Sequence, residues 1–268
     1  MWKKEIFQTS LSESLNIHIP NFIPDRECGV CGKTSSLEIH SQYPSLDVIQ
    51  TTLYVCKNCT AIYNSSTEVQ EIMNKSAQLE WLGKQGFYDV PSEKTNFDES
   101  VDEAANIFKW FQDRYLYEFK GKTFFEIGAG SGMASIAASR FFKNVIATDL
   151  TLDRLKEAKH MSGKENVKLV ETHEVDSITF DFFFAWHVFE HVINPNLVFN
   201  AMFRNLNAGG VAFIQVPLVT ERHIYPGHIF MHNEFSWKKM LEKLPIEKYE
   251  FNYDIQLCAL TLVLFKAK

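Results

Sequence analysis

The chain has 268 residues, of which 46% are hydrophobic and 22% are charged. These proportions are ordinary for globular proteins and exclude the disordered, collagen-like and low-complexity classes. The formal net charge of −6 provides no general basic field for a phosphate backbone, so nucleic acid is not the expected partner. No run of residues is long and apolar enough for a membrane span or a signal peptide, so we expect a cytoplasmic protein without a membrane partner.

Cysteine spacing gives the first specific signal along the chain. Four of the five cysteines form two C-x2-C pairs, namely Cys28 with Cys31 and Cys56 with Cys59. Two such pairs can complete a tetrahedral thiolate site of the structural zinc kind, and the strand-like residues between them predict a zinc ribbon over about 24–64. Two disulfides or a redox dithiol are the alternatives, but disulfides are rare in the cytosol and a dithiol needs only one pair. Cys258 lies in an apolar run and is expected to be a small buried hydrophobe.

The next part of the chain is a connector followed by a helix. Residues 65–99 are polar and irregular. Ser100 followed by Glu103 predicts a capping box, and apolar residues at helical spacing then continue to Phe111. We therefore expect an amphipathic helix that packs on the sheet that follows.

From residue 122 onward the pattern alternates between strand and helix. Five short apolar segments predict buried strands: TFFEI, NVIAT, VKLVE, FDFFFAW and VAFIQV. A helix begins at Asn194–Pro195 and is expected to end at Gly209–Gly210. Ser236 is expected to cap another helix, and apolar segments near 249–254 and 258–265 follow it. The alternation predicts an α/β fold with a Rossmann-like, doubly wound sheet of about seven strands.

The loop after the first of these strands is rich in glycine. Its pattern is G-x-G-x-G, and Met133 stands where the dinucleotide pattern G-x-G-x-x-G requires the last glycine. Glycines let the backbone approach a ligand closely. Asp149 ends the second strand, where a carboxylate can accept hydrogen bonds from both hydroxyls of a ribose. Ligands of open α/β sheets bind beyond the carboxyl ends of the strands, so this loop and Asp149 predict a nucleoside site.

The fourth predicted strand leads into the segment His187–His191. Its sequence HVFEH matches the H-x-x-E-H pattern of one class of zinc protease. A protease of that class carries both histidines on a long helix, whereas this segment directly follows an apolar strand. The pattern therefore does not favour a protease.

Four pieces of the sequence together resemble the class I S-adenosylmethionine-dependent methyltransferases: FFEIGAGSG, VIATDL, FDFFFAWHVFEHVINP and LNAGGVAFIQVP. The resemblance covers about 100–220. It implies a methyltransferase domain at 119–268, after an N-terminal segment with the zinc ribbon at 1–64 and a helical connector at 65–118. A Rossmann-like domain that binds another nucleotide is the alternative.

The resemblance implies a binding role for individual residues. Those expected around the methionine part of the cofactor are Glu126, Gly128, Ala129, Gly130 and Gly132. Asp149 would bind the ribose, Leu150 would flank the adenine and Trp186 would form a wall of the site. The contact to the adenine amine is left open among Glu171, Thr172 and His173.

The resemblance also places three residues of the HVFEH segment where methyl donor and acceptor meet. We hypothesise that His187 or His191 is the general base, because an imidazole with a pKa near 6.5 suits that role. Glu190 would orient an imidazole or close a helix start. In the alternative, Glu190 and His191 only hold the loop in place.

The segment after the fifth strand is expected to form part of a lid over the acceptor. Its candidate residues are His223, Tyr225, His228 and His232. Its three histidines could instead bind a second metal or be plain polar loop residues. Phe87 and Tyr88 in the connector are also expected to cover the pocket.

The sequence EHV after the fourth strand resembles the corresponding segment of small-molecule methyltransferases such as the ubiquinone-pathway O-methyltransferases. The predicted zinc ribbon of this chain is similar to the N-terminal zinc domains of deoxysugar C-methyltransferases and of some ribosomal-RNA guanine methyltransferases. The acidic charge balance favours a small-molecule acceptor, such as a sugar or a biosynthetic intermediate. The alternatives are an RNA methyltransferase whose ribbon contacts RNA and a zinc-ribbon binding protein without activity.

Overall fold

The computed structural model describes residues 28–33, 37–44, 50–64, 90–192, 194–218, 228 and 230–268. The predicted lid residues His223 and Tyr225 lie outside these ranges, and so do residues 65–89 of the connector, which include Phe87 and Tyr88. Two sheets organise the described chain, one with seven strands and one with four. No helix in the described ranges combines the length and apolar character needed to cross a bilayer.

Eleven strands and five α-helices make up the described structure. The strands are β1 (Leu37–Pro44), β2 (Gln50–Cys56), β3 (Ile62–Asn64), β4 (Thr123–Ile127), β5 (Asn144–Thr148), β6 (Val167–Leu169), β7 (Phe180–Trp186), β8 (Leu206–Pro217), β9 (Phe230–Met231), β10 (Ile246–Asp254) and β11 (Ala259–Lys266). The helices are α1 (Lys94–Tyr115), α2 (Met133–Ala138), α3 (Asp153–Ser162), α4 (Pro195–Asn205) and α5 (Glu234–Leu241).

The larger sheet has the strand order β10-β11-β8-β7-β4-β5-β6. Strands β4 to β8 run parallel to one another, and β11 is antiparallel to both of its neighbours. The predicted doubly wound α/β sheet of about seven strands is therefore confirmed. Its central strands are buried on both faces, which explains their almost continuous apolar sequences.

Successive phenylalanines of β7 serve opposite faces of this sheet. The Phe184 ring packs on Phe108 of α1, with ring centroids 6.0 Å apart. Phe183 points to the other face and contacts Phe189, with ring centroids 6.4 Å apart. Because side chains alternate along a strand, the single segment FDFFFAW supplies the core on both sides.

The smaller sheet joins the cysteine-bearing part of the chain to a strand from the second half. Its order is β1-β2-β3-β9, and all pairs are antiparallel. Ile62 of β3 pairs with Met231 of β9, and Tyr63 pairs with Phe230. The small N-terminal module is thus hydrogen-bonded to the segment that follows β8.

Two predicted helix signals are wrong. Helix α1 begins at Lys94 and not at Ser100, because the Ser100 hydroxyl lies inside the helix and donates to the Asn96 carbonyl at 2.9 Å. Helix α5 is capped by Asn233, whose side chain accepts from the Ser236 backbone N–H at 3.0 Å. Ser236 is the third residue of that helix, and its hydroxyl oxygen accepts from the Asn233 N–H at 3.0 Å.

Two further predictions are wrong near the edge of the large sheet. Gly209–Gly210 lie inside β8 rather than after α4, since the chain enters the strand at Leu206, which already pairs with Phe180. Cys258 is partly exposed in the turn between β10 and β11, with a left-handed φ of 50°. It is therefore not a buried core residue.

Candidate active site and metal centre

The structure brings the four predicted metal ligands together. The Sγ atoms of Cys28 and Cys59 are 3.6 Å apart, and those of Cys31 and Cys56 are 3.7 Å apart. All four Sγ atoms lie within 4.8 Å of one another, and none is in a disulfide. Tetrahedral zinc with Zn–S bonds of about 2.3 Å needs sulfur–sulfur separations of about 3.8 Å. The donor set and its geometry therefore fit a structural zinc ion.

Local turns aim these thiols at one point. The Gly32 N–H donates to the Cys28 carbonyl and the Thr60 N–H donates to the Cys56 carbonyl, both at 2.7 Å. The Tyr63 hydroxyl donates to Cys28 Sγ at 2.6 Å. The hydrogen bond from the Cys59 thiol is the main cause that lowers the pKa of Cys28 to about 5. A thiolate is the form that binds metal, so Cys28 is prepared for that role.

The glycine loop after β4 adopts backbone conformations that other residues rarely take. Gly128, Gly130 and Gly132 have φ values of 67°, 55° and 79°. A Cβ on Gly128 would lie 2.5 Å from Val188 Cγ2, and one on Gly132 would lie 2.8 Å from Leu155 Cδ2. The glycines are therefore required by both conformation and packing. The contact with Val188 also places the HVFEH segment directly against the loop.

Asp149 is held against the same loop, as the sequence predicts. Its Oδ2 accepts from the Gly130 N–H at 2.8 Å, and its Oδ1 accepts from the Leu150 N–H at 2.7 Å. The Ala129 N–H donates to the Thr148 carbonyl at 3.1 Å, which ties the loop to β5. These bonds bring the predicted methionine and ribose contacts into one cradle at the carboxyl ends of β4 and β5.

Three other predicted cofactor contacts surround this cradle. Glu126 is only 3% exposed and accepts a hydrogen bond from the Ser135 hydroxyl. Burial raises the pKa of Glu126 to about 8, so its carboxyl is mostly protonated at neutral pH. Leu150 is 41% exposed, and the half-buried Trp186 ring lies 6.3 Å from the His187 ring. Of the open candidates for the adenine amine, Thr172 is tied to the cradle by donating to the Asp149 carbonyl at 3.3 Å.

The chain turns sharply where β7 ends. His187 has a left-handed φ of 53°, and its N–H donates to the Gln215 carbonyl at 3.0 Å. A short 3-10 turn, Phe189–His191, then directs Glu190 into the interior. His187 Nδ1 lies 3.1 Å from Glu190 Oε1. When Nδ1 carries the proton, this hydrogen bond leaves Nε2 of the imidazole as a proton acceptor.

Glu190 is fully buried among three histidines. Besides the His187 contact, its Oε1 lies 4.0 Å from His191 Nε2 and 3.9 Å from His228 Nε2. Burial by itself raises the pKa of Glu190, but the His187 hydrogen bond and the charges of His191 and His228 together lower it to about 2. An ionised carboxylate therefore lies beneath the exposed His187 side chain.

His228 is the site residue whose contact sequence reasoning missed. The sequence places it in a lid, in a second metal site with His223 and His232, or in a plain polar loop, and no local spacing connects it with Glu190. His232 was predicted in the same lid but is buried in the core, where its ring stacks on Trp237 at 4.7 Å. Its Nε2 lies 3.3 Å from the Phe189 carbonyl, and burial lowers the pKa of His232 to about 4. His232 therefore supports the HVFEH turn from behind.

Comparison with known proteins identifies the family of the large-sheet part of the chain. A family model described as a methyltransferase domain matches residues 101–247. No curated protein sequence matched the chain.

Solved structures with the same fold have low sequence identity. The CurJ carbon methyltransferase has a TM-score of 0.51 and 12% identity, and the match covers 73% of this chain and 62% of that one. The YcgJ protein from Bacillus subtilis has a TM-score of 0.50 and 13% identity, with 62% and 99% covered. An S-adenosylmethionine-dependent methyltransferase from Clostridium acetobutylicum has a TM-score of 0.50 and 13% identity, with 63% and 92% covered. The chain thus spans less than two thirds of the first of these structures, and at such identities the similarity shows the fold alone.

Proposed function

Because the chain belongs to the family of S-adenosylmethionine-dependent methyltransferases, we propose that it methylates a small-molecule acceptor, such as a sugar or a biosynthetic intermediate. The observation that carries this proposal is the His187–Glu190 pair, which is joined to the glycine loop through Val188. An oriented imidazole beside a nucleoside cradle is the arrangement that methyl transfer to a protic acceptor needs.

The cradle fits the cofactor by its own chemistry. The left-handed glycine loop holds the Gly130 N–H against the Asp149 carboxylate, at the edge where a ribose would be bound. The mostly protonated Glu126 adds a buried polar group without a full negative charge. When bound, S-adenosylmethionine supplies a methyl group on a positively charged sulfur, which is released as a neutral thioether.

We assign the base role to His187. Its side chain is 35% exposed, compared with 20% for His191, so it is the more accessible of the two to an acceptor. His187 Nε2 would accept the proton that the acceptor releases when it is methylated. Glu190 holds the imidazole through Nδ1 and stabilises the imidazolium that results.

Packing of the cysteine module supports a small-molecule acceptor over RNA. The Gly29 carbonyl in the first C-x2-C turn accepts from the Asn196 N–H of α4 at 3.2 Å. The Thr60 carbonyl in the second turn accepts from the Asn233 side chain at 2.9 Å. Both C-x2-C turns therefore form hydrogen bonds to the methyltransferase domain, and these contacts use backbone groups that RNA would otherwise bind. We propose that the zinc they hold is structural and that the protein is cytoplasmic, where thiols stay reduced and can bind metal.

The test is incubation of the purified protein with methyl-labelled S-adenosylmethionine and size-fractionated lysate. We expect label in the small-molecule fraction, and we expect His187→Gln to lose about 10²- to 10⁴-fold in rate. Binding of S-adenosylhomocysteine, measured by calorimetry, should remain unchanged in that variant. His160→Gln on the exposed end of α3 is the matched control and should keep full activity.

Three outcomes would contradict parts of the proposal. Label that ribonuclease removes from a large fraction would identify RNA as the acceptor. Unchanged turnover in His187→Gln would exclude His187 as the general base and leave the HVFEH turn with a structural role only. Absence of heat with S-adenosylhomocysteine would remove the cofactor assignment itself.

A further inference from the structure

Glu190, His191 and His228 form a second cluster of metal-ligating side chains, separate from the four cysteines. One ligand atom from each residue lies within 4.8 Å of the other two. Glu190 Oε1 is 4.0 Å from His191 Nε2 and 3.9 Å from His228 Nε2. A divalent ion with bonds of about 2.0–2.2 Å would hold tetrahedral ligand atoms about 3.3–3.6 Å apart. The two separations from the carboxylate exceed these values by only a few tenths of an ångström, so both imidazoles lie close enough to the carboxylate to share an ion with it.

The second carboxylate oxygen of Glu190 gives an independent reason for an ion. Oε2 is buried and accepts no hydrogen bond within the described ranges. A buried carboxylate oxygen without a partner is costly, because it has lost its water without replacement. Oε1 accepts from His187 and lies beside the other two imidazoles, so an ion bound by both carboxylate oxygens would satisfy Oε2 and stay next to His191 and His228.

The cluster is assembled by long-range structure. Glu190 and His191 belong to the turn after β7, whereas His228 immediately precedes β9. Strand β9 is held by its pairing with β3, the strand next to the cysteine centre. The side chains of Glu190 and His228 are almost completely buried, and His191 is 20% exposed. The site is thus built into the junction of the two sheets and is open on the side of His191.

We propose that Glu190, His191 and His228 bind a divalent transition-metal ion, with His187 as the outer partner that orients the carboxylate. Two imidazoles and one carboxylate form a donor set that suits Zn²⁺, Fe²⁺ or Co²⁺. Three protein ligands leave coordination positions for an oxygen of the acceptor, whose pKa a bound metal lowers. This deepens the proposed function, because the metal would bind the acceptor beside the base.

The test is titration of metal-free, reduced, full-length protein with Co²⁺, followed by absorption. We expect two Co²⁺ per chain, one with thiolate-to-cobalt charge-transfer bands and one without them. His228→Ala and His191→Ala should each abolish the second equivalent and keep the thiolate bands, which show that the cysteine module remains folded. The control His160→Ala should bind both equivalents.

Saturation of the unaltered protein at a single Co²⁺ with thiolate bands would overturn the proposal. Retention of two equivalents by the double variant His191→Ala, His228→Ala would do the same. The measurement uses no methyl donor, so its result is separable from failure of methyl transfer. If no thiolate bands appear, the assignment of the cysteine centre is wrong. The second site is then judged by whether the chain still binds one Co²⁺ that the variants His191→Ala and His228→Ala lose.

Discussion

Replacement of the buried Glu126 by glutamine should change how stability depends on pH. The pKa of Glu126 is about 8 in the folded chain against an ordinary 4.5, and burial is the main cause. One unit of pKa difference corresponds to about 1.4 kcal/mol, so ionisation of this carboxyl opposes folding by up to about 5 kcal/mol. Glutamine has the same shape and can still accept from the Ser135 hydroxyl, but it never carries the charge.

The sign follows from the raised pKa. Below pH 4.5 the carboxyl is protonated in both the folded and the unfolded chain, so its contribution to stability is fully present. Between pH 4.5 and about 8 the unfolded chain releases the proton and the folded chain keeps it, so stability falls as pH rises. The free energies of unfolding of Glu126→Gln and of the unaltered protein should therefore agree near pH 4.5. Near pH 9 the variant should be the more stable of the two by about 3–5 kcal/mol.

Urea denaturation at several pH values, with constant zinc and reductant, measures this difference. Glu157→Gln on the exposed face of α3 is the matched control, and its profile should run parallel to that of the unaltered protein. If the Glu126→Gln profile is also parallel to that of the unaltered protein across this range, the protonated state assigned to Glu126 is wrong.

Three further predictions concern the cradle and the cysteine centre. Gly128→Ala should cost about 2–4 kcal/mol in the free energy of unfolding by urea and weaken S-adenosylhomocysteine binding, because about 1 kcal/mol of left-handed backbone strain adds to about 1–3 kcal/mol from a Cβ that would meet Val188 at 2.5 Å. Gly163→Ala, with a φ of 62° but open space around it, should cost about 1 kcal/mol; an equal cost at both sites would contradict the packing account. Asp149→Ala should raise the calorimetric Kd for S-adenosylhomocysteine about 10- to 100-fold, and an unchanged Kd would exclude the ribose contact. Tyr63→Phe removes a hydrogen bond to a cysteine sulfur and should release zinc about 10- to 100-fold more readily in a chelator competition; unaltered release would show that this bond does not tune the metal.

Local sequence patterns predicted the fold and the cofactor cradle because each of these signals is carried by neighbouring residues. Near-continuous burial along FDFFFAW is typical of a strand packed on both faces, and left-handed φ values at Gly128 and Gly132 favour glycine. The same kind of signal misled at Ser100, where the sequence matches a capping box but the helix already begins at Lys94 and buries Phe97.

The sequence by itself determined the order of strands and helices, the glycine loop beside Asp149 and the two cysteine pairs, since spacing along the chain fixes each of them. Only the tertiary structure decided that His228 faces Glu190, that Tyr63 donates to Cys28 and that His232 supports the HVFEH turn from behind. These contacts depend on the pairing of β3 with β9, which joins segments far apart in the chain. No local pattern specifies such a pairing, because it forms only when two separately folded surfaces bury each other.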